Sequence, residues 1–376
     1  MKKKRNAIIS ALLLLAVLVL IMVLERILPP THIALTVLKK GCIYSLVAVS
    51  MNLLNGFTGL FSLGQAGFML IGAYTYAVLT IPVADRASVY QYFDGGIIQF
   101  SVPVFVGILA AGILAAVFAW LIGLPVLRLK SDYLAIATLG FAEIIRAFFQ
   151  WDKLGVVTNG SNMLRKYPTF SSVLFPFIVC GICIAIMVLM INSSYGRAFR
   201  AIRDDEIAAE AMGINLAKHK RMAFCVSSFF AGVGGALLAM YQTSIQAMTF
   251  KSAMTYEILL IVVIGGLGSV TGSCIASFLF IACSEWWLRF LDTEMYIGDF
   301  KVPLLRTGFR KVVFSIIIMV IVLFARKGIM GNKEFSIDGI CNFFKNLLVE
   351  RKRKASFFKM MSAIESIEAH TTYLHN

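Results

Sequence analysis

The sequence predicts an all-α, polytopic integral membrane protein of about ten transmembrane helices with short re-entrant or broken segments, and three observations predict it. Of its 376 residues, 59% are hydrophobic and only 15% charged, with a mean hydropathy of +0.83. That is more apolar surface than one soluble core of this length can bury. The apolar residues fall into runs of roughly 20, the helix length that crosses about 30 Å of hydrocarbon. The loops between the runs differ in charge, some rich in bases and some poor, as expected when Lys and Arg gather on the cytoplasmic side.

Taken in order, the runs place spans near 7–28, 33–55, 62–81, 102–124, 133–150, 173–192, 222–243, 255–270, 272–290 and 308–325. The first follows a basic start, Lys2, Lys3, Lys4 and Arg5, and so has the form of a signal peptide. Ala7 to Leu24 nevertheless gives 18 apolar or small residues that lead into Glu25, Arg26 and Pro29-Pro30 without a small-residue cleavage site. It is read as a retained span. The eighth run is short enough to suggest a broken or re-entrant helix. An even number of crossings puts both termini in the cytoplasm. The loop at 82–101, with Arg86 as its single base, and the acidic loop at 292–300 then lie outside, while Arg128, Lys130, Arg326 and Lys327 lie inside. Lys39 and Lys40 depart from this rule near the outer end of the second span, where long side chains snorkel. The membrane domain is thus 1–330. Residues 331–376 form a polar cytoplasmic tail, whose basic cluster Arg351–Lys354 suits an anionic lipid surface.

The net charge of +15 lies mostly in the start, the central loop and the tail. It therefore speaks for topology and membrane lipid, with no nucleic-acid partner. Seven cysteines are scattered, and the one CxxC, Cys180 to Cys183, sits inside an apolar run that suits packing. The four histidines form no HExxH, so neither a metal nor a catalytic site is indicated. No Gly-Lys dipeptide occurs, which excludes a P-loop ATPase in this chain. Ionisable residues inside spans attract notice because they are costly there. Glu143 with Arg146 and Glu285 with Arg289 have helical spacing, with the acid first, and neutralise each other locally without a proton relay. Glu257 is placed to cap the start of the eighth span.

Two glycine-rich stretches occupy similar places in the two halves, Gly56–Tyr74 and Ile258–Ser273. Such pairs point to discontinuous helices lining a pathway, but small residues also let helices approach closely. Gly64, Gly67, Gly265, Gly266 and Gly268 serve one or the other. The loop at 193–221 is a helix-prone soluble surface between two spans. Six bases (Arg197, Arg200, Arg203, Lys218, Lys220, Arg221) against four acids (Asp204, Asp205, Glu206, Glu210) place it in the cytoplasm.

The blocks SLGQAGFMLIGAY, YLAIATLGFAEIIRAF followed by VTNGSNML, GRAFRAIRDDEIAAEAMGINLAKHKRMAF with AGVGGAL, and EILLIVVIGGLGSVTGS run from about Asn52 to Met330. Together they resemble the LivM-type permeases of bacterial ABC importers for branched-chain amino acids, in a superfamily that includes sugar, nucleoside and urea permeases. The chain departs from the family pattern at Thr158–Met163, where two glycines are replaced, and at Arg326-Lys327-Gly328, which lacks the usual proline. These departures bear on substrate. The resemblance implies a complex of this subunit with a second homologous permease, two cytoplasmic ATP-binding subunits and an extracytoplasmic solute-binding protein. ATP and Mg would sit on the ATP-binding subunits, with no cofactor and no enzymatic activity in this chain.

The resemblance also gives the central loop a role as coupling helix. Ala201, Ile202, Ile207, Ala208, Ala211 and Met212 would dock in an ATPase groove, Arg200, Arg203, Asp204, Asp205 and Glu210 would make rim pairs, and Gly213 would end the helix. For the substrate pathway the expected residues are Gln65, Thr158, Asn159 and the turn at Gly265, Gly266 and Gly268, where backbone dipoles meet a zwitterion. The expected function is import of leucine, isoleucine and valine across the bacterial cytoplasmic membrane. Urea or short-chain amides, other amino acids or nucleosides would use the same architecture. A stand-alone ion-coupled carrier is disfavoured because ion-relay carboxylates are lacking.

Overall fold

The structure is a computed structural model. It describes residues 16, 18–29, 32–93, 95–129, 131–170 and 172–288, with 296–297, 300–301, 312–313, 315–316, 319 and 328–331. The basic start, Arg289, most of the tenth expected span and the tail beyond 331 lie outside the described residues.

The described residues are mainly helical. A helix at 18–27 (α1) is followed by Ile33–Asn52 (α2), which runs on through a π-helical turn, Leu53–Phe57, and then by Gln65–Thr80 (α3). Val83–Val89 (α4), Val104–Val126 (α5), Ser131–Phe149 (α6), Gly155–Thr158 (α7) and Leu174–Ile191 (α8) precede the central loop. The loop carries Ser194–Asp204 (α9) and Glu206–Ala211 (α10), and leads into Leu216–Gln242 (α11), Ser252–Gly265 (α12) and Val270–Ala282 (α13). Among the described residues the only strands are two-residue antiparallel pairs, Leu164–Arg165 with Ser244–Ile245 and Tyr296–Ile297 with Phe300–Lys301.

Five of these segments are long and apolar enough to cross a bilayer: Ile33–Phe57, Val104–Val126, Leu174–Ile191, Leu216–Gln242 and Val270–Trp287. A sixth results if 133–149 and 152–158, bent by 64°, count as one broken span. The expected run at 222–243 is only part of α11, because Asn215 accepts the Lys218 N–H at 2.9 Å and starts the helix six residues earlier. The polar end of the loop is therefore the first turn of a membrane helix.

The more apolar helix is not the more buried one. The apolar window of α11 is 78% buried within the chain and that of α8 only 28%. The α11 sequence AGVGGAL explains the difference. A side chain at Gly235 would overlap the Met69 carbonyl of α3, and one at Gly232 would meet Ala115 Cβ at 2.6 Å and the Ala111 carbonyl at 2.8 Å on α5. Absence of a Cβ lets α11 lie between α3 and α5 with backbones nearly in contact. α8, without such a face, leaves Ile178, Ile182, Ile186 and Leu189 on the outside.

Candidate functional site

The central loop is built as two helices where one was expected. Asp205 is extended (φ −159°), and its carboxylate accepts the N–H groups of Ile207 and Ala208 at 2.8 and 3.1 Å. That cap stops α9 and starts α10 in one residue. Gly213, at φ +84°, follows the end of α10 as its sequence suggests. The two helices present opposite surfaces. In α9, Phe199 and Ile202 are buried in this chain, so Ile202 does not belong to a free docking face. In α10, Ile207 is 81% exposed and the following Met212 83%, with Ala208 and Ala211 exposed beside them.

The charged residues of α9 also make contacts within the chain. Arg200 donates to the carbonyls of Ile191 (2.9 Å) and Gly196 (3.3 Å), covering the end of α8. Arg203 holds Asp204 (2.9 and 3.1 Å) and sends Nη1 to the Gly56 carbonyl at 3.1 Å. Three of the five expected rim residues, Arg200, Arg203 and Asp204, therefore make contacts within the chain, and Asp205 is a helix cap. Glu210 remains on the exposed side. Glu206 pairs with Lys220 at 2.6 Å and ties α10 to α11.

Gly56 leads to the first glycine-rich stretch. Residues 58–64 are not helical, and their polar backbone is met by side chains from several helices. Asn55 exchanges hydrogen bonds with the Ser62 backbone (3.1 and 3.3 Å), Thr138 of α6 accepts the Leu63 N–H at 2.9 Å, and Thr255 of α12 accepts the Ala66 N–H at 3.1 Å. Gln65 is buried and donates to the Ser50 hydroxyl at 2.7 Å. A break of this kind is stable in a membrane only where protein supplies the partners.

The second glycine-rich stretch is also a break. α12 ends at Gly265; Gly266 and Gly268 adopt φ +111° and +87°, and Ser269 caps α13 by accepting the Gly272 N–H at 3.1 Å. Among the described residues, two groups from elsewhere help to close it. The N–H groups of Ile329 and Met330 donate to the last α12 carbonyls, Ile264 and Gly265, at 2.7 and 3.3 Å. The Asn52 side chain reaches Gly266, Gly268, Ser269 and Ser273.

Thr158 and Asn159 lie elsewhere. Asn159 adopts φ +61° at the end of α7, and its amide donates to the carbonyls of Val89 (3.1 Å) and Met163 (3.2 Å). Its Oδ1 is buried and has no hydrogen-bond partner among the described residues. Thr158 lies on the wall of an apolar cavity of about 290 Å³ with Tyr74, Val78, Leu114, Phe118 and Phe149. Tyr74 is nine residues along α3 from Gln65, on the order of 14 Å at 1.5 Å per residue. The structure thus separates the expected pathway residues into two groups at opposite ends of α3. Gln65 and the glycine turn are near the central loop, and Thr158 and Asn159 are near the loop at 82–101.

The charges inside the apolar runs find partners both near and distant in sequence. Arg146 binds Glu143 at 2.6 Å, as spacing predicts. Glu143 also accepts the N–H of Ser252 at 3.1 Å and the Ser252 hydroxyl. The start of α12 is therefore capped by Glu143, where Glu257 was expected. Glu285 pairs with Lys40 at 2.5 Å, which accounts for a lysine inside the second run. Arg86 is 2% exposed and staples the 82–101 loop, donating to the carbonyls of Ile98, Val78 (2.9 Å) and Phe100 (2.7 Å). Sequence reasoning took Arg86 for a topology marker and passed over Asn52, Thr138 and Thr255. The one available signal for these three was an amide or hydroxyl inside an otherwise apolar run.

The sequence profile described as "Branched-chain amino acid transport system / permease component" matches residues 33–325. The high-affinity branched-chain amino acid transport system permease protein LivM of Escherichia coli K12 is 32% identical over 287 residues, covering 67% of this chain and 63% of that protein. The probable LivM of Methanocaldococcus jannaschii is 23% identical over 330 residues (77% and 91%). The LivH permease protein of Salmonella typhimurium is 21% identical over 316 residues (78% and 93%). The match therefore spans under two thirds of the length of the Escherichia coli relative. No solved structure matches the chain.

Proposed function

Because the chain belongs to the family of permease components of branched-chain amino acid transport systems, we propose that it is the transmembrane permease subunit of an ATP-driven importer of leucine, isoleucine and valine. It sits in the bacterial cytoplasmic membrane with about ten spans and both termini inside. Its membrane domain is 1–330 and its tail, 331–376, lies in the cytoplasm. It works with a second homologous permease, two ATP-binding subunits that hold ATP and Mg, and an extracytoplasmic solute-binding protein.

The observation that supports this reading best is the division of labour in 193–221. α9 is anchored by Phe199, Ile202, Arg200 and Arg203, while α10 leaves Ile207, Ala208, Ala211 and Met212 open. A short rigid helix with an unburied apolar face on an anchored base suits insertion into a partner's groove. Closure of the ATP-binding pair would then move α9 and the spans joined to it, α8 and α11, as one body. Gln65 with Gly265, Gly266 and Gly268 would belong to the inner half of the substrate pathway, and Thr158 and Asn159, beside the apolar cavity, to the outer half.

The test is uptake of radiolabelled leucine by proteoliposomes holding the full complex and its binding protein. Internal ATP is compared with a non-hydrolysable analogue, with urea as competitor. The reading requires uptake that needs hydrolysis and ignores urea. Uptake of urea in place of leucine would replace the substrate, and leucine uptake indifferent to ATP would refute the mechanism.

A further inference from the structure

We propose that Asn52 is a positioning residue that links the glycine break between α12 and α13 to the central loop, so that the break changes conformation when the loop moves. This rests on the reading of 193–221 as the ATPase-facing loop. What it adds is the route by which that movement reaches the membrane helices.

The break leaves backbone groups without helical partners at the end of α12 and the start of α13. One side chain from α2 gathers them. The Asn52 amide nitrogen lies 2.9 Å from the Ser269 carbonyl, 2.8 Å from the Ser273 hydroxyl and 3.3 Å from the Gly266 carbonyl, and its Oδ1 accepts the Gly268 N–H at 2.8 Å. Asn52 is fully buried. Its two N–H groups are shared among three acceptors, so any displacement of the turn changes which bonds are made.

Gly56, one turn further along, is pressed against the same amide. A Cβ there would overlap both Asn52 Oδ1 and the Gly268 nitrogen. The Gly56 carbonyl in turn is held by Arg203 of α9. Gly59, at φ +74°, comes so close to Arg203 that a Cβ would lie 2.9 Å from its Cγ. Arg203, Gly56, Asn52 and the turn at Gly266–Ser269 thus form one contiguous packed unit. Such units shift between discrete arrangements and do not deform continuously. Among the described residues, the backbone donors of Ile329 and Met330 close the end of α12 beside the turn.

Two measurements on the complete complex in nanodiscs with its binding protein test this. In the wild type, hydrogen exchange of 262–270 and 50–57 should change together with that of 194–212 on going from ADP to ATP with vanadate. A change confined to 194–212 would overturn the proposal. Asn52→Ala and the milder Asn52→Ser should leave basal ATP hydrolysis within about twofold while leucine moved per ATP falls roughly 5- to 20-fold, within the span of site-to-site coupling factors. Equal loss of hydrolysis and uptake, with their ratio kept, would make Asn52 merely structural and overturn the assignment. A wild-type complex without ATP-dependent uptake would instead refute the importer reading, and this proposal with it.

Discussion

α9 and α10 are neighbours in one charged loop, separated by a single capping aspartate, and their apolar side chains point opposite ways. α9 buries Phe199 and Ile202 in its own chain, whereas Ile207 of α10 and Met212 beyond it are more than four-fifths exposed. Arg200 and Arg203 bind carbonyls of α8 and of the α2 turn, while Glu210 stays on the exposed side. An amphipathic helix in a loop between spans therefore does not by itself mark a docking surface. What marks it is an apolar face that the chain has declined to cover.

The contrast predicts that substitutions in α9 damage the fold and those in α10 damage assembly alone. Phe199→Ala should have the largest effect, about 3–5 kcal/mol of stability, as for other buried aromatic truncations. Thermal unfolding of the purified permease would show it, and an unchanged midpoint would erase the distinction between the helices. Ile207→Asp comes next. It should weaken retention of the ATP-binding subunits by about 2 kcal/mol or more, roughly thirtyfold, while the permease alone unfolds within about 0.5 kcal/mol of wild type. Loss of permease stability with retention intact would reverse the assignment of the two faces.

Asp205→Ala should cost about 1 kcal/mol, the usual value of a helix cap. Because it loosens the joint between the helices, reduced protection should appear in 206–211 by hydrogen exchange and leave 194–204 as before. The smallest effect belongs to Lys220→Ala, which removes an ion pair whose acid is half exposed and should change stability by about 0.2–1 kcal/mol. A larger loss would mean that α10 depends on α11 for its structure, and the picture of an independent docking helix would fail.

How far these features were legible in the sequence depends on the range of the interactions behind them. The Glu143–Arg146 pair, the stop at Gly213 and the irregular backbone in both glycine-rich stretches follow from residues a few positions apart, and the structure shows each. The pairing of Lys40 with Glu285 joins residues 245 apart, and the cap of α12 comes from Glu143, 109 residues before it. Neither separation leaves a periodic signal in one chain. The expected pathway residues come from stretches far apart in the sequence, and the length of α3 divides them.

The sequence by itself determined that this is a helical membrane protein, because apolar run length and charge asymmetry depend only on the bilayer as solvent. It also determined the family, through blocks that are local strings of residues. Only the tertiary structure decided which apolar helices lie inside and which outside, which half of the central loop is left uncovered, and that Asn52 packs against Gly56 while binding the distant break at Gly266–Ser269. Those outcomes depend on which backbone groups and side chains meet in space. A buried amide in a membrane must find its partners wherever the fold brings them.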